Sequence, residues 1–245
     1  LPDVTYNHNV VYKGYFNEEK CYSYSNGIFS PTANATAPTA LNSTLGIRQP
    51  ALSIKQYCTG GRWSGNFLNW ATMTRIDIVR SVLYGGKRWT DTANSTILER
   101  AYLPNDSHSF AKYYDGSDLT SLTGLTNFSL TDNDKRKRGL TFCNTSLGHT
   151  NNVVSQSQTA TKPVMRVAKG NYSLWASGER YQCLLGGNNK EYSEYQNGVF
   201  ANNGNDPNIT GIHAYSTAPT SVLQDYTVRV AVCTDSTEDT IHYCR

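Results

Sequence analysis

The sequence predicts an α+β fold, in which one prominent amphipathic core helix packs on short, mostly antiparallel strands and long loops are stapled by disulfides. Three observations carry this reading. Apolar residues recur at helical spacing between Asn66 and Tyr84, aromatic-rich or alternating runs elsewhere have strand character, and six cysteines are spread widely through 245 residues. No self-similarity at a fixed period points to a solenoid or propeller.

From Val4 to Phe29 the aromatics Tyr6, Tyr12, Tyr15, Phe16, Tyr22, Tyr24 and Phe29 are broken by Gly14, Asn17 and Asn26-Gly27, which reads as short strands and turns. Ser30 to Thr44 is Pro, Thr, Ala, Asn and Ser with little to bury, so it is expected as an exposed loop, and loops are predicted over about 30–55, 117–138 and 188–220. The core helix is expected from Asn66 to Tyr84, with Phe67, Leu68, Ala71, Ile76, Val79, Val82 and Leu83 on its apolar face. Ser64 or Asn66 is suited to cap its start, and Gly85-Gly86 to end it in the left-handed conformation. Thr96 and Glu99 have capping-box spacing, which predicts a second short helix ending before Pro104. Strands are expected at Pro163 to Ala168 and at Tyr226 to Cys233, where Tyr226, Val228, Val230 and Val232 alternate with Thr227, Arg229 and Ala231.

Charged residues are 17% of the chain and the formal net charge is +3, so solubility rests on amides and hydroxyls and no concentrated basic face offers itself to nucleic acid. The basic run Lys135 to Arg138 reads as a solvated loop. No stretch approaches the ~20 apolar residues of a membrane-spanning helix. The chain begins at Leu1 and not Met, which suggests either removal of an upstream segment or a piece of a longer protein. Cys21, Cys58, Cys143, Cys183, Cys233 and Cys244 lack the close spacing of zinc ligands, so disulfides are the better reading; pairing neighbours closes the shortest loops. Oxidised cysteines imply the periplasm, the extracellular space or a secretory lumen. Eight N-x-S/T sequons, at Asn34, Asn42, Asn94, Asn105, Asn127, Asn144, Asn171 and Asn208, are compatible with an extracellular address.

Catalytic chemistry has no recognisable outline. There is no GxSxG, HExxH, P-loop or dinucleotide-binding glycine pattern, and His8, His108, His149, His213 and His242 stand singly, as turn or surface residues do. The pairs Asp115/Asp118 and Asp132/Asp134 and the turn Asn205, Asp206, Asn208 have spacing open to calcium, but none matches an EF-hand and each reads as a polar turn. The expectation is a protein that is not an enzyme and holds no cofactor in this segment.

Four runs resemble one family. YKGYFNEEKCYSY (Tyr12 to Tyr24), RWSGNFLNWATMTRIDIVRSVLYGGKR (Arg62 to Arg88), LTFCN (Leu140 to Asn144) and MRVAKGNYSLWASGERYQC (Met165 to Cys183) are similar, in this order, to the N-terminal adhesin region of PilC/PilY proteins, and YTVRVAVC followed by Cys244 is similar to its close. The resemblance implies a single adhesin-type domain over 1–245, or a fragment of a larger pilus-tip protein. It implies an extracellular or cell-surface location reached through the periplasm, and contacts with pilus subunits and with host or abiotic surfaces. Many members embed this region in a von Willebrand factor A-like domain and carry a calcium-binding β-propeller. Neither lies in these residues, so the family's metal sites map onto none of them. Arg75 and Asp77 lie in the matching helix and read as helix surface or a buried pair. The alternative is a self-assembling extracellular fibre or sheath subunit of the same family.

Overall fold

The computed structural model describes residues 5–38, 53–103, 109–134, 137–147, 160–171, 183 and 222–234. Sheets dominate, helices are few and short, and the chain divides into two compact units, the first formed by 1–101, 116–126 and 226–245 and the second by 102–115 and 127–225.

The first unit is built on strands β1 (Lys20–Ser25), β2 (Ile28–Asn34), β3 (Trp63–Ser64), β4 (Arg88–Thr92), β5 (Ser95–Glu99) and β10 (Arg229–Thr234), in the sheet order β3-β1-β2-β10-β5-β4. β1 and β2 form a hairpin whose two-residue loop puts Asn26 and Gly27 at φ 51° and 79°, the geometry that Asn-Gly supplies with least strain. β10 enters beside β2 through the parallel pair Val230 and Phe29 and runs antiparallel to β5. Phe29 is fully buried and makes edge-on or stacked contacts with Phe16, Trp63 and Tyr226 at centroid distances of 5.5, 6.2 and 5.8 Å. Helix α1 (Gly65–Thr72) is buried along its whole length, and Phe67 and Trp70 pack on Tyr6. Ser64 caps it by accepting a hydrogen bond from Phe67 N at 3.3 Å. Helix α2 (Arg75–Tyr84) follows, and the short α3 (Leu119–Thr123) buries Leu119 and Leu122. A disulfide joins Cys21 to Cys58.

The second sheet has β6 (Phe110–Tyr114), β7 (Leu140–Leu147), β8 (Ala160–Lys169) and β9 (Val222–Thr227) in that order, with β7 antiparallel to both β6 and β8; its residues belong to the second unit except Tyr226 and Thr227, which belong to the first. Leu140, Phe142, Met165 and Val167 are fully buried. Cys143 is bonded to Cys183, whose carbonyl accepts from Arg166 Nη1 at 2.8 Å, while Arg166 Nε faces Asp225 Oδ1 at 3.1 Å. The side chain of Cys233, the whole of Cys244, and hence their pairing lie outside the described residues.

Five expectations need correction. The helix expected from Asn66 to Tyr84 is two helices, because Met73 and Thr74 are extended and Thr74 starts a new capping box. The helix expected at Thr96 is strand β5: Thr96, Ile97 and Leu98 pair with β4 on one side and β10 on the other, and two ladders outweigh a capping spacing. β2 continues to Asn34, into the segment expected as loop from Ser30. Within the loop expected over 117–138, α3 supplies two core leucines. The strand expected from Tyr226 to Cys233 is interrupted at Val228, and Ala231 is buried as well as Val230. The 188–220 stretch lies outside the described residues.

Truncation of Phe29 removes the ring around which Phe16, Trp63 and Tyr226 meet. Phe29→Ala is expected to cost about 3–5 kcal/mol of stability, read as a fall in the urea midpoint with little change of slope.

Candidate interaction surface

Helix α2 is turned inside out. Its sequence RIDIVRSVLY is amphipathic, and the sequence reading places Ile76, Val79, Val82 and Leu83 against the core. The structure places them outside: Val82 is 81% exposed, Leu83 72%, and Ile76, Ile78 and Val79 are also exposed, whereas Asp77 is fully buried. Successive residues turn 100° about the axis, so Arg75, Val79 and Val82, with Ile78 and Leu83 beside them, form one outward ridge and Asp77 and Ser81 lie on the opposite side.

The cause is Asp77. Its Oδ2 accepts hydrogen bonds from the Thr74 hydroxyl at 2.6 Å and Thr74 N at 3.1 Å, while Asp77 N donates back to Thr74 Oγ1 at 3.3 Å. Its Oδ1 accepts from Ala101 N at 2.7 Å. The cap therefore fastens the helix start to the chain just beyond β5, and the rotation that satisfies a buried carboxylate carries the apolar ridge to the surface. At the other end Gly85, at φ 78°, closes the helix by donating to Ser81 O. Ser81 Oγ reaches the Gly14 carbonyl.

A charge cluster continues the same theme. Glu99 accepts from Lys87 Nζ at 2.8 Å and from Arg229 Nε at 2.7 Å, and the Arg229 guanidinium lies 3.8 Å above the ring centroid of the half-exposed Trp89. Burial alone would raise the Glu99 pKa; the hydrogen bonds and charges of Lys87 and Arg229 outweigh it and hold the carboxyl below its ordinary range. Arg100 is fully buried, and burial pushes its pKa down to about 10 against the pull of Asp77 and Glu99, leaving it charged at neutral pH. Asp77 and Arg100 are thus buried opposite charges; Arg75 is exposed.

Among the described residues considered for chemistry, His8 and Asp118 bond to each other. His8, expected as a turn or surface residue, is buried, with Nε2 2.6 Å from Asp118 Oδ2, which also accepts from the Tyr57 hydroxyl at 2.7 Å. The Gln56 amide donates to the His8 carbonyl at 3.1 Å and accepts from the Tyr6 hydroxyl at 2.5 Å, and Asn66 donates to that hydroxyl at 2.8 Å. Burial raises the pKa of Tyr6 and Tyr57, so both remain hydroxyl donors. Asp118 is therefore held by a histidine and a phenol, which is a poor start for a calcium site. Asp132 accepts from Asp134 N in a polar turn. Among the described residues no group of three or more His, Cys, Asp and Glu is placed to hold a metal ion. Asn144 is fully buried in β7 and has no surface to carry a glycan, while Asn34, Asn94 and Asn127 are exposed and Asn171 is half-buried. His108, His149, His213, His242, Asn42, Asn105, Asn208 and the Asn205 to Asn208 turn lie outside the described residues. Sequence reasoning missed the His8–Asp118 pair because 110 residues separate its members.

Residues 3–168 match the family described as "PilY1 homolog, small alpha/beta domain". The chain belongs to this PilY1 homolog family. Two curated relatives, both type IV pilus biogenesis factor PilY1 homologs from Xylella fastidiosa, are 38% identical over 121 residues and 41% identical over 105 residues. These matches take in 47% and 40% of this chain but only 7% and 8% of the relatives, so the chain spans under a tenth of their length. No solved structure matches. The two disulfides of the described residues suit an envelope or extracellular location.

The Glu99 cluster ties stability to pH on the acid side. A carboxyl whose folded pKa is depressed contributes stability above its unfolded value, about 4.3, and loses it as pH falls through the folded value. Glu99→Gln is expected to cost about 2–3 kcal/mol at pH 7, less than a fully enclosed pair because Lys87 and Arg229 reach solvent. It also flattens the loss of stability below about pH 4, which a series of urea titrations across pH 2.5–7 reads directly.

Proposed function

We propose that this chain is a non-catalytic, extracellular contact module of a type IV pilus-associated protein, carried at or near the pilus tip. Membership of the PilY1 homolog family over residues 3–168 is the observation that supports this reading. In the described interior Tyr6, His8, Gln56, Tyr57 and Asp118 are linked by hydrogen bonds that tie the N-terminal segment to α3 and its flank. Disulfide-anchored sheets then serve as a scaffold, and the polar loops between strands meet pilus subunits and host or abiotic surfaces. No metal or organic cofactor is needed for this role.

Deletion of the region encoding this chain from its piliated host is the direct test. The expected outcome is reduced attachment, with the protein labelled by gold-conjugated antibody at pilus tips or on the cell surface. Unchanged attachment and piliation, or labelling confined to the cytoplasm, would overturn the reading. Chelation with EDTA is expected to leave the melting temperature of the purified chain unchanged; a fall restored by calcium would reinstate a metal site.

A further inference from the structure

We propose that the outer ridge of α2 is a docking site for a protein segment whose own apolar face is edged by carboxylates. Ile76, Ile78, Val79, Val82 and Leu83 are exposed together on one helix, an arrangement that burial of the same residues would convert into binding free energy. Four of the five are β-branched, so their χ1 angles are already fixed by the helix and little side-chain entropy is lost when a partner covers them.

Charge identifies the occupant. Arg75 heads the ridge, in line with Val79 and Val82, and Arg80 stands on its flank. The helix has one carboxylate, Asp77, and it is buried beneath the opposite face. A covering surface must therefore bring its own anions to Arg75 or leave a guanidinium unpaired as water is excluded. A second copy fails this requirement, since stripe against stripe brings cations together with no exposed helix carboxylate to meet them. A bilayer fits less well for a different reason: interfacial helices keep their cations on the polar face, away from the inserted one. Here the cation lies in the apolar sector, and the polar side, with Asp77 and Ser81, is turned into the protein. This inference goes beyond pilus location and is tested on the purified chain alone, so either reading can fail without the other.

Two synthetic helical peptides with the same Leu/Ala face, one flanked by Glu and its twin by Lys, would be titrated into the full chain by calorimetry. The Glu peptide is expected to bind at least about ten-fold more tightly, the scale of one well-placed charge pair. Arg75→Glu is expected to invert that preference and Arg75→Gln to abolish it. Val82→Asp with Leu83→Asp is expected to remove binding of both peptides. All these positions are exposed, so the far-UV spectrum should stay unchanged and serves as the folding control. Equal affinity for the twins, binding by neither, or binding that survives the double aspartate variant would overturn the proposal. Tighter association with phosphatidylglycerol vesicles than with either peptide would overturn it in favour of a lipid surface. Self-association in sedimentation that the double variant abolishes would overturn it in favour of a second copy.

Discussion

The carboxylate of Asp77 is the constraint on which the first unit's outer surface depends. It is fully buried, and it accepts from the Thr74 hydroxyl, Thr74 N and Ala101 N. An uncompensated buried carboxylate would cost several kcal/mol, so its partners determine where the helix start sits and how it is rotated. Hydrophobic burial alone would favour the opposite rotation, with Val82 and Leu83 inside. It loses because the helix is short, its apolar ridge is worth only a few kcal/mol, and turning it inward would carry Asp77 away from Ala101 N and from the field of Arg100. Electrostatics thus decides the phase of an element whose existence is decided by hydrophobic pattern and capping.

Beneath this surface the sheet is organised by aromatic packing and one covalent tie. Phe29 occupies the centre, and its neighbours come from regions distant in sequence: Phe16 from the N-terminal loop, Trp63 from β3 and Tyr226 from the end of β9. Such non-local contacts form only after chain entropy has been lost, and the Cys21–Cys58 bond, with a sequence separation of 37, reduces that loss by restricting the unfolded chain. The chain-entropy relation puts its contribution at about 4 kcal/mol. The bond anchors β1 next to Tyr57, whose backbone exchanges hydrogen bonds with Thr36 and whose hydroxyl reaches Asp118. Structural and polar frameworks therefore converge on the same short segment.

Sequence reasoning reads local rules well and long-range choices poorly here. The turn at Asn26-Gly27 and the stop at Gly85 were legible because each depends on a positive φ that few residues adopt, and a cap at Ser64 or Asn66 because their short polar side chains can accept a backbone N–H. Periodicity between Phe67 and Leu83 was legible as helix, but a period of 3.6 does not state which side faces the core, and only α1 obeys the usual assignment. The break at Met73 and Thr74 was visible in principle, since Thr74 and Asp77 have capping-box spacing inside the supposed continuous helix. Thr96 and Glu99 show the same spacing and form a strand. What separates the two cases is not local: β5 has partners on both sides, and Asp77 has Ala101 N. The His8–Asp118 pair and the Glu99 cluster joining Lys87 to Arg229 have no signature in sequence because tertiary structure alone assembles them.

These contrasts bear on how the domain works. Where buried polar groups bond to one another, as around His8 and Asp118, the molecule gains a defined interior. Where a helix is held with its apolar side outward, the isolated domain forgoes hydrophobic stabilisation, and the capping box and buried carboxylate that hold it there make the exposure a fixed property rather than a fluctuation. A fixed apolar ridge headed by a cation is complementary to a narrow class of surfaces, which is how specificity arises from few residues. In relatives where the matched region is under a tenth of the chain, a small α/β domain has ample neighbouring protein to meet. The physical division of labour is then clear: disulfides and aromatic packing set the scaffold, Asp77 sets the orientation, and the ridge of α2 is an apolar part of the first unit's described surface that is left in water.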